Sequence, residues 1–277
     1  MALRTVLDLV VRMREIMNQW HPSTRPGNDG DAGNTLEDLL GVEENNFQLP
    51  DFGEVELKTK KTEGGSLLTL FHRDPYPRPS VPKLILAMGW RHSEAGGKYP
   101  NDEMSFRSTT YGHRYSDRGF SIIVDHARIY FVYEPLRVAR ATEDRTGVYP
   151  TYGDWADDIE ARTNPSYREC MPVHYDLNMI QRGFVNKLSH TLLAFRRTRQ
   201  RGGRREYYYH EAYLMRDLQF ESIGALVREG SIAIDFDART RHNHGTKFRI
   251  AKSRLGLLFN EFEQISPDDE VVQATIV

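Results

Sequence analysis

Residues 33–61 read GNTLEDLLGVEENNFQLPDFGEVELKTKK. Asn34 or Thr35 can cap a helix whose apolar face is Leu36, Leu39 and Leu40 and whose stop is Gly41. Asn, Pro and Gly then put a turn around Leu49 to Gly53, and Val55 to Thr59 alternates with the period of a strand. On that strand Glu56 and Lys58 share a face, while Asp51, in the turn that begins it, approaches from one end. Two carboxylates and an ammonium thus converge. Paired carboxylates suit a hard divalent ion such as Mg²⁺, which can stabilise the charge on a phosphate under attack. A nearby lysine can orient or help deprotonate the attacking water. A solvated edge strand behind a Pro-Asp turn satisfies the same pattern, and at this level both readings stand.

Working outward, Leu3, Val6, Leu7, Val10, Val11 and Met17 predict an amphipathic helix, not a targeting segment, ending near Trp20. PKLILAMGW and FSIIVDHARIYFVYE are β-branched or aromatic runs that predict strands, the second a hairpin. Ala141 to Asp176, with Pro150, Pro165 and little periodicity, is expected to be an excursion or connector. Leu177 to Arg197 returns to helical spacing through Ile180, Phe184, Leu188 and Leu192. RRTRQRGGRREYYYHEAYL turns at Gly202-Gly203 into an aromatic strand, in which Tyr207 to Tyr209 alternate between core and surface. A helix over Phe220 to Val227 stops at Gly230, and SIAIDFDAR reads as a strand.

The chain has 277 residues, 39% hydrophobic and 27% charged, so it can bury a sizeable core as one large domain or two lobes. One cysteine, Cys170, excludes an internal disulfide and a cysteine-cluster metal site. Apolar runs such as Leu84 to Met88 are far too short for a membrane-spanning helix. The net charge of -2 lacks the basic excess of many nucleic-acid binders, but the cations are 29 Arg against 8 Lys. Arginine suits bidentate phosphate and guanine contacts, and genome composition gives the same bias.

The passage over residues 33–61 resembles the core of the MvaI/BcnI restriction endonucleases, of the PD-(D/E)xK superfamily, and more distantly the MutH mismatch-repair nickase. Pro50-Asp51 and Glu56-Leu57-Lys58-Thr59 match that family's elements, and Glu37 matches its helix acid. SLLTLFHRDP, Leu86 to Trp90, Asp117 to Asp125 and GSIAIDFDARTRHNHGTKFRI are also similar, so the resemblance runs from about Gly33 to Phe259. It implies an α/β fold with a mixed central β-sheet flanked by helices, and two lobes forming a DNA cleft. Residues 1–140 would be the catalytic lobe, 141–176 an insertion or connector, and 177–277 the recognition lobe. The 141–176 segment is longer than the family leads one to expect.

By the same resemblance Asp51, Glu56 and the Leu57 carbonyl would hold Mg²⁺, with Mn²⁺ able to substitute and Ca²⁺ binding without cleavage. Lys58 would sit beside the attacking water. Glu37 would join the catalytic set, or merely complement the helix dipole as a first-turn acid. Lys60 and Lys61 could hold a phosphate or solvate the strand end. Arg239 and Arg249 offer forks for guanine, Asp237 an acceptor for cytosine N4, and His242 and His244 contacts to a central pair, with His72 a further one. A polar loop or a zinc site is the bland alternative for the histidines, and no cysteine accompanies them. Arg196, Arg197, Arg199, Arg201, Arg204 and Arg205 could track phosphate by counterion release, or be a solvated helix end. The implied activity is that of a type II site-specific deoxyribonuclease on double-stranded DNA at a CC-N-GG-like pseudo-palindrome. It would be cytoplasmic and prokaryotic, monomeric with a dimer left open, and accompanied by a cognate DNA methyltransferase. A MutH-like nickase and a non-catalytic DNA-binding protein are the alternatives.

Overall fold

The computed structural model describes residues 5–27, 30–42, 49–162, 173–219 and 223–267. The chain folds as two compact units, each assembled from separate segments: Met1–Ser66, Gly183–Phe220 and Gly256–Val277 in the first, Leu67–Arg182 and Glu221–Leu255 in the second. This differs from the contiguous lobes expected at 1–140 and 177–277. The cause is a long-range strand pairing, since Val55 lies beside His190.

The first unit is a sheet with helices α1 (Val6–Ile16) and α2 (Asp31–Leu40). Strands β1 (Trp20–Pro22), β10 (Arg204–Leu218), β9 (His190–Arg201) and β2 (Val55–Lys61) follow in that order, and β14 (Phe259–Ile265) also pairs with β10. β2 runs parallel to β9, the rest antiparallel. Leu9, Met13 and Ile16 of α1 and Leu36 and Leu40 of α2 pack with Leu57, Leu192, Tyr207, Tyr209 and Leu214 in one core. Thr5 and Asp8 form a capping box at α1. The helix ends before Trp20, which is in β1. α2 starts at Asp31, earlier than the cap expected at Asn34 or Thr35, and closes at Gly41 with φ 73°. The turn at Gly202-Gly203 is as expected, with both glycines at positive φ. Leu177 to Arg197 is only half helical, because β9 begins at His190 and its apolar run Thr191–Phe195 is buried on both faces.

Among the described residues the second unit holds two sheets. One has the order β3 (Leu68–His72), β13 (Lys247–Ile250), β11 (Ile232–Arg239), β5 (Met104–Thr110) and β4 (Trp90–Arg91), with β12 (His242–Asn243) on β11. The other is β6 (Arg118–Val124), β7 (Arg128–Val138) and β8 (His174–Asp176). Helices α3 (Ser80–Met88), α4 (Tyr152–Arg162) and α6 (Ile223–Arg228) accompany them, and α5 (Leu177–Leu188) crosses from this unit into the first. PKLILAM is therefore helical, not a strand, and only Trp90 at the end of the run enters β4. Pro82 stands in the first turn of α3, where no N–H is needed, and Leu84, Ile85 and Met88 are buried.

Phe106, Phe120, Phe131 and Phe236 form the aromatic centre, with ring separations of 5.0–5.9 Å. The expected excursion at 141–176 adds to this core, since Trp155 and Ile159 of α4 are fully buried and β8 pairs with β7. Buried Arg118 pins it, binding Asp144 at 2.8 Å and stacking over Trp90 and Trp155 at 4.1 and 4.8 Å. Pro165 and Cys170 lie outside the described residues, as does Leu3. No helix among the described residues is long and apolar enough to cross a membrane.

Candidate active site and recognition face

Phe52 and Val55 exchange backbone hydrogen bonds of 3.0 and 2.7 Å around Gly53, whose φ of 56° closes the turn before β2. The turn carries Asp51 back against the strand, where its Oδ2 accepts the Leu57 N–H at 2.8 Å. That amide therefore faces away from β9, and the Leu57 carbonyl shares its edge, because both groups of one strand residue point the same way. The Leu57 side chain is in the core with α1 and α2, which leaves Glu56 and Lys58 on the opposite face.

Glu56 is 2% exposed. Its Oε1 accepts a short hydrogen bond from Lys58 Nζ. A second cation, Lys187 in the last turn of α5, lies 3.0 Å from Oε2 and donates to the Leu49 carbonyl at 3.2 Å. Oε2 itself accepts no hydrogen bond and is a buried oxygen with spare capacity. Burial pushes the Glu56 carboxyl above its usual range; Lys58 opposes this, the Asp51 charge adds to it, and Lys187 opposes again. Two carboxylates and two ammonium groups thus occupy one corner of the sheet. The donor set is all oxygen, from Asp51, Glu56 and the Leu57 carbonyl, and fits a hard divalent cation.

Glu37 does not join a carboxylate cluster: no group of three or more His, Cys, Asp or Glu among the described residues is arranged for a metal. It also stands in the second half of α2, so the alternative of a first-turn acid fails as well. Lys60 is buried and bonds the Ser66 hydroxyl at 2.6 Å, whereas Lys61 is exposed. Lys187 carried no sequence signal, being one lysine at a helix end.

The recognition candidates fall together in the second unit. Asp235, Asp237 and Arg239 alternate on one face of β11, with Ile234, Phe236 and Ala238 buried on the other. His72, Lys247, Asp235 and Thr109 form one row across four strands. Asp237 binds Lys247 at 2.6 Å and Arg107 at 3.2 Å. Burial pushes its carboxyl up, but Lys247, His244 and Arg107 together outweigh this and hold it below the usual range. Arg239 donates to Glu103 at 3.1 Å and lies 4.4 Å over Tyr99. Arg249 is held by Asp235 at 2.8 Å and the Leu67 carbonyl at 2.9 Å. The His242 and His244 rings meet edge to face at 4.2 Å, and burial holds the His244 imidazole below its usual value. Arg107 and Lys247 were not foreseen, although KFRI alternates and already pointed Lys247 with Arg249.

The MvaI/BcnI restriction endonuclease family profile matches residues 10–259. This chain belongs to the MvaI/BcnI restriction endonuclease family. Among solved structures, the complex of restriction endonuclease MvaI with cognate DNA substrate is similar over 95% of this chain and 100% of its own, at a TM-score of 0.69 and 22% identity. Restriction endonuclease MvaI in the absence of DNA is similar over 96% and 99%, at a TM-score of 0.46 and 22% identity. Comparison with curated proteins gave no match. The chain accordingly has a restriction-endonuclease-like fold of mixed α/β class, and its family is one of nucleases.

Proposed function

We propose that this chain is a type II restriction endonuclease that hydrolyses double-stranded DNA at a short CC-N-GG-like pseudo-palindrome in an Mg²⁺-dependent reaction. The observation that carries the reading is the buried Glu56 beside Asp51 and flanked by Lys58 and Lys187, in a chain of a restriction endonuclease family. The similar MvaI structure contains its cognate DNA, which supports DNA as the partner here.

Asp51, Glu56 and the Leu57 carbonyl would hold Mg²⁺. Bound there, the ion supplies Lewis-acid stabilisation of phosphate charge and acidifies water. Lys58 orients the attacking water and balances the negative charge that develops on phosphorus-bound oxygen. The water oxygen bonds to phosphorus as the bond to O3′ breaks. The products are a 5′-phosphate and a 3′-hydroxyl that takes up a proton. Lys187 keeps the Glu56 carboxylate charged and in place by holding it between two cations.

Asp237 would accept from cytosine N4, Arg239 and Arg249 would address guanine, and His242, His244 and His72 would meet the central pair. Both arginines are already oriented by Glu103 and Asp235, so their forks are set before DNA arrives. Glu37 is left outside the chemistry. The proposal includes Mn²⁺ as a substitute, Ca²⁺ as a non-cleaving ion, a monomer cutting the strands in successive events, a cognate methyltransferase, and a prokaryotic cytoplasm.

The test is incubation of purified protein with plasmid DNA, with and without Mg²⁺, followed by sequencing of fragment ends. Discrete Mg²⁺-dependent fragments that share one CC-N-GG-like motif are expected. Nicked circles alone would replace the reading by a strand-nicking one, and DNA binding without cleavage would overturn the roles of Asp51, Glu56 and Lys58.

A further inference from the structure

The β9–β10 hairpin carries a row of arginines on the same sheet face as Glu56 and Lys58. β9 alternates without interruption: Thr191 is opposite Glu56 and Leu193 opposite Lys58, so Arg197, Arg199 and Arg201 point to that side too. The ladder's one irregularity adds His210 to β10 and leaves β9 regular. Across from the arginines stand Tyr208, Glu206 and Arg204, and Trp20 of β1 is opposite Tyr208. The Trp20 and Tyr208 rings are 5.2 Å apart, and the Arg199 guanidinium lies 4.0 Å over Trp20 while binding Glu206 at 2.5 Å. Arg197, Arg201 and Arg204 are exposed and have no ion-pair partner among the described residues. Four guanidinium groups therefore face solvent against one carboxylate. The hairpin's other face is spent on Tyr207 and Tyr209 in the core and on Arg205 beside Asp31.

The row starts where β2 ends, since Lys61 is the last β2 residue and pairs with Arg196. From Thr191 to Arg197 the strand rises about 20 Å, and to Arg201 about 33 Å, at roughly 3.3 Å per residue. In B-DNA, at about 3.4 Å per base pair, this corresponds to some 6 to 10 base pairs from a phosphate held at Glu56. A short recognition site ends before that.

We propose that this face grips the backbone of duplex DNA flanking the recognition site, as an anchor that reads no sequence. The inference rests on the DNA-cleaving reading of Glu56. Charge complementarity selects duplex DNA as the occupant, since Arg197, Arg201 and Arg204 are exposed on the sheet face that also carries Glu56 and Lys58, beyond the buried stretch Thr191–Phe195. Guanidinium forks match phosphate, and such contacts act through counterion release.

The test compares the wild type with the triple variant Arg197→Ala, Arg201→Ala, Arg204→Ala on two duplexes containing the cleaved site. One has about 3 base pairs on each side, the other about 15, so that either orientation on a pseudo-palindrome is covered. Affinity is read by fluorescence anisotropy in EDTA and in Ca²⁺ across a salt series, and cleavage in Mg²⁺ by kcat and KM. The wild type should bind the long duplex at least tenfold more tightly than the short one, and the triple variant should lose that difference. The salt slope on the long duplex should fall by about 2 to 3, near 0.9 per phosphate released, with kcat on the short duplex unchanged. Arg→Lys at the three positions should restore most of the slope, which separates charge from folding. Equal affinity of wild type and variant on the long duplex, or equal loss on both, overturns the anchor while leaving the cleavage reading intact. A wild type that neither binds nor cuts either duplex overturns both.

Discussion

Replacing Lys187 by Met removes one of the two cations that flank Glu56. Lys187 Nζ lies 3.0 Å from Oε2, with the Glu56 side chain 3% exposed and that of Lys187 20% exposed. Removing one partner of a fully buried pair costs about 3–5 kcal/mol. Here Lys58 keeps its bond to Oε1 and Lys187 retains some contact with water, so a loss of about 2 kcal/mol at pH 8 follows. The loss depends on pH in a defined direction. Burial already raises the Glu56 carboxyl above its usual 4.5, so the cost of its charge is present above the raised value and vanishes once it is protonated. The variant should therefore match the wild type near pH 4 and fall behind as pH rises. With about 1.4 kcal/mol per pH unit, the acid limb of the cleavage profile should move up by about 1.5 units. Urea denaturation of metal-free protein at pH 4 and pH 8, with kcat against pH on a plasmid substrate, measures both. Lys187→Arg should restore the limb. An unmoved acid limb with stability within about 0.5 kcal/mol at pH 8 would refute the reasoning.

Glu56→Gln should abolish cleavage and also remove the wild type's loss of stability above pH 4.5; urea curves at the two pH values decide this. Asp144→Asn leaves the Arg118 guanidinium buried among Trp90, Tyr152 and Trp155 and should cost about 3–5 kcal/mol. Burial pushes the Asp144 carboxyl up, but bonds from Thr146 and Arg118 outweigh it, so the pair's contribution is full above the usual 3.8 and is lost as pH falls through the lowered value. A cost under 1 kcal/mol at pH 7 would show that the pair does not pin the 141–176 segment. Asp237→Asn should relax preference at one position of the cleaved site by about 10- to 100-fold, as one good base contact contributes about 1–3 kcal/mol. Sequencing of fragment ends reads it, and an unchanged motif removes Asp237 from the readers.

Elements whose boundaries are local chemistry were legible. Gly41, Gly202 and Gly203 sit at positive φ where turns require it, and β2, β11 and the β6–β7 hairpin show their period or composition directly. Short apolar runs were not, because a buried helix and a buried strand have the same composition: PKLILAM went into α3, and the run at 191–195 became β9 instead of more helix. The boundaries of the two units were illegible for a different reason. They depend on β2 finding β9 some 135 residues later, and nothing near Val55 names His190 as its neighbour.

That pairing links the fold to the charge balance of the site. The four residues between Asp51 and Glu56 are enough for one tight turn, which brings the first carboxylate back onto the Leu57 amide while the second projects from the strand face. A buried Glu56 beside Asp51 needs more positive charge than Lys58 alone supplies. Lys187 provides it from the helix that leads into β9, three residues before His190 pairs with Val55. The same register that completes the sheet thus sets the second cation against Oε2. A one-residue slip would turn Glu56 and Lys58 to the α1–α2 core and would strand Lys187. Correct pairing and a Glu56 flanked by two cations are therefore one event, which is why the site could be half read from residues 50–58 and could be completed only from the fold.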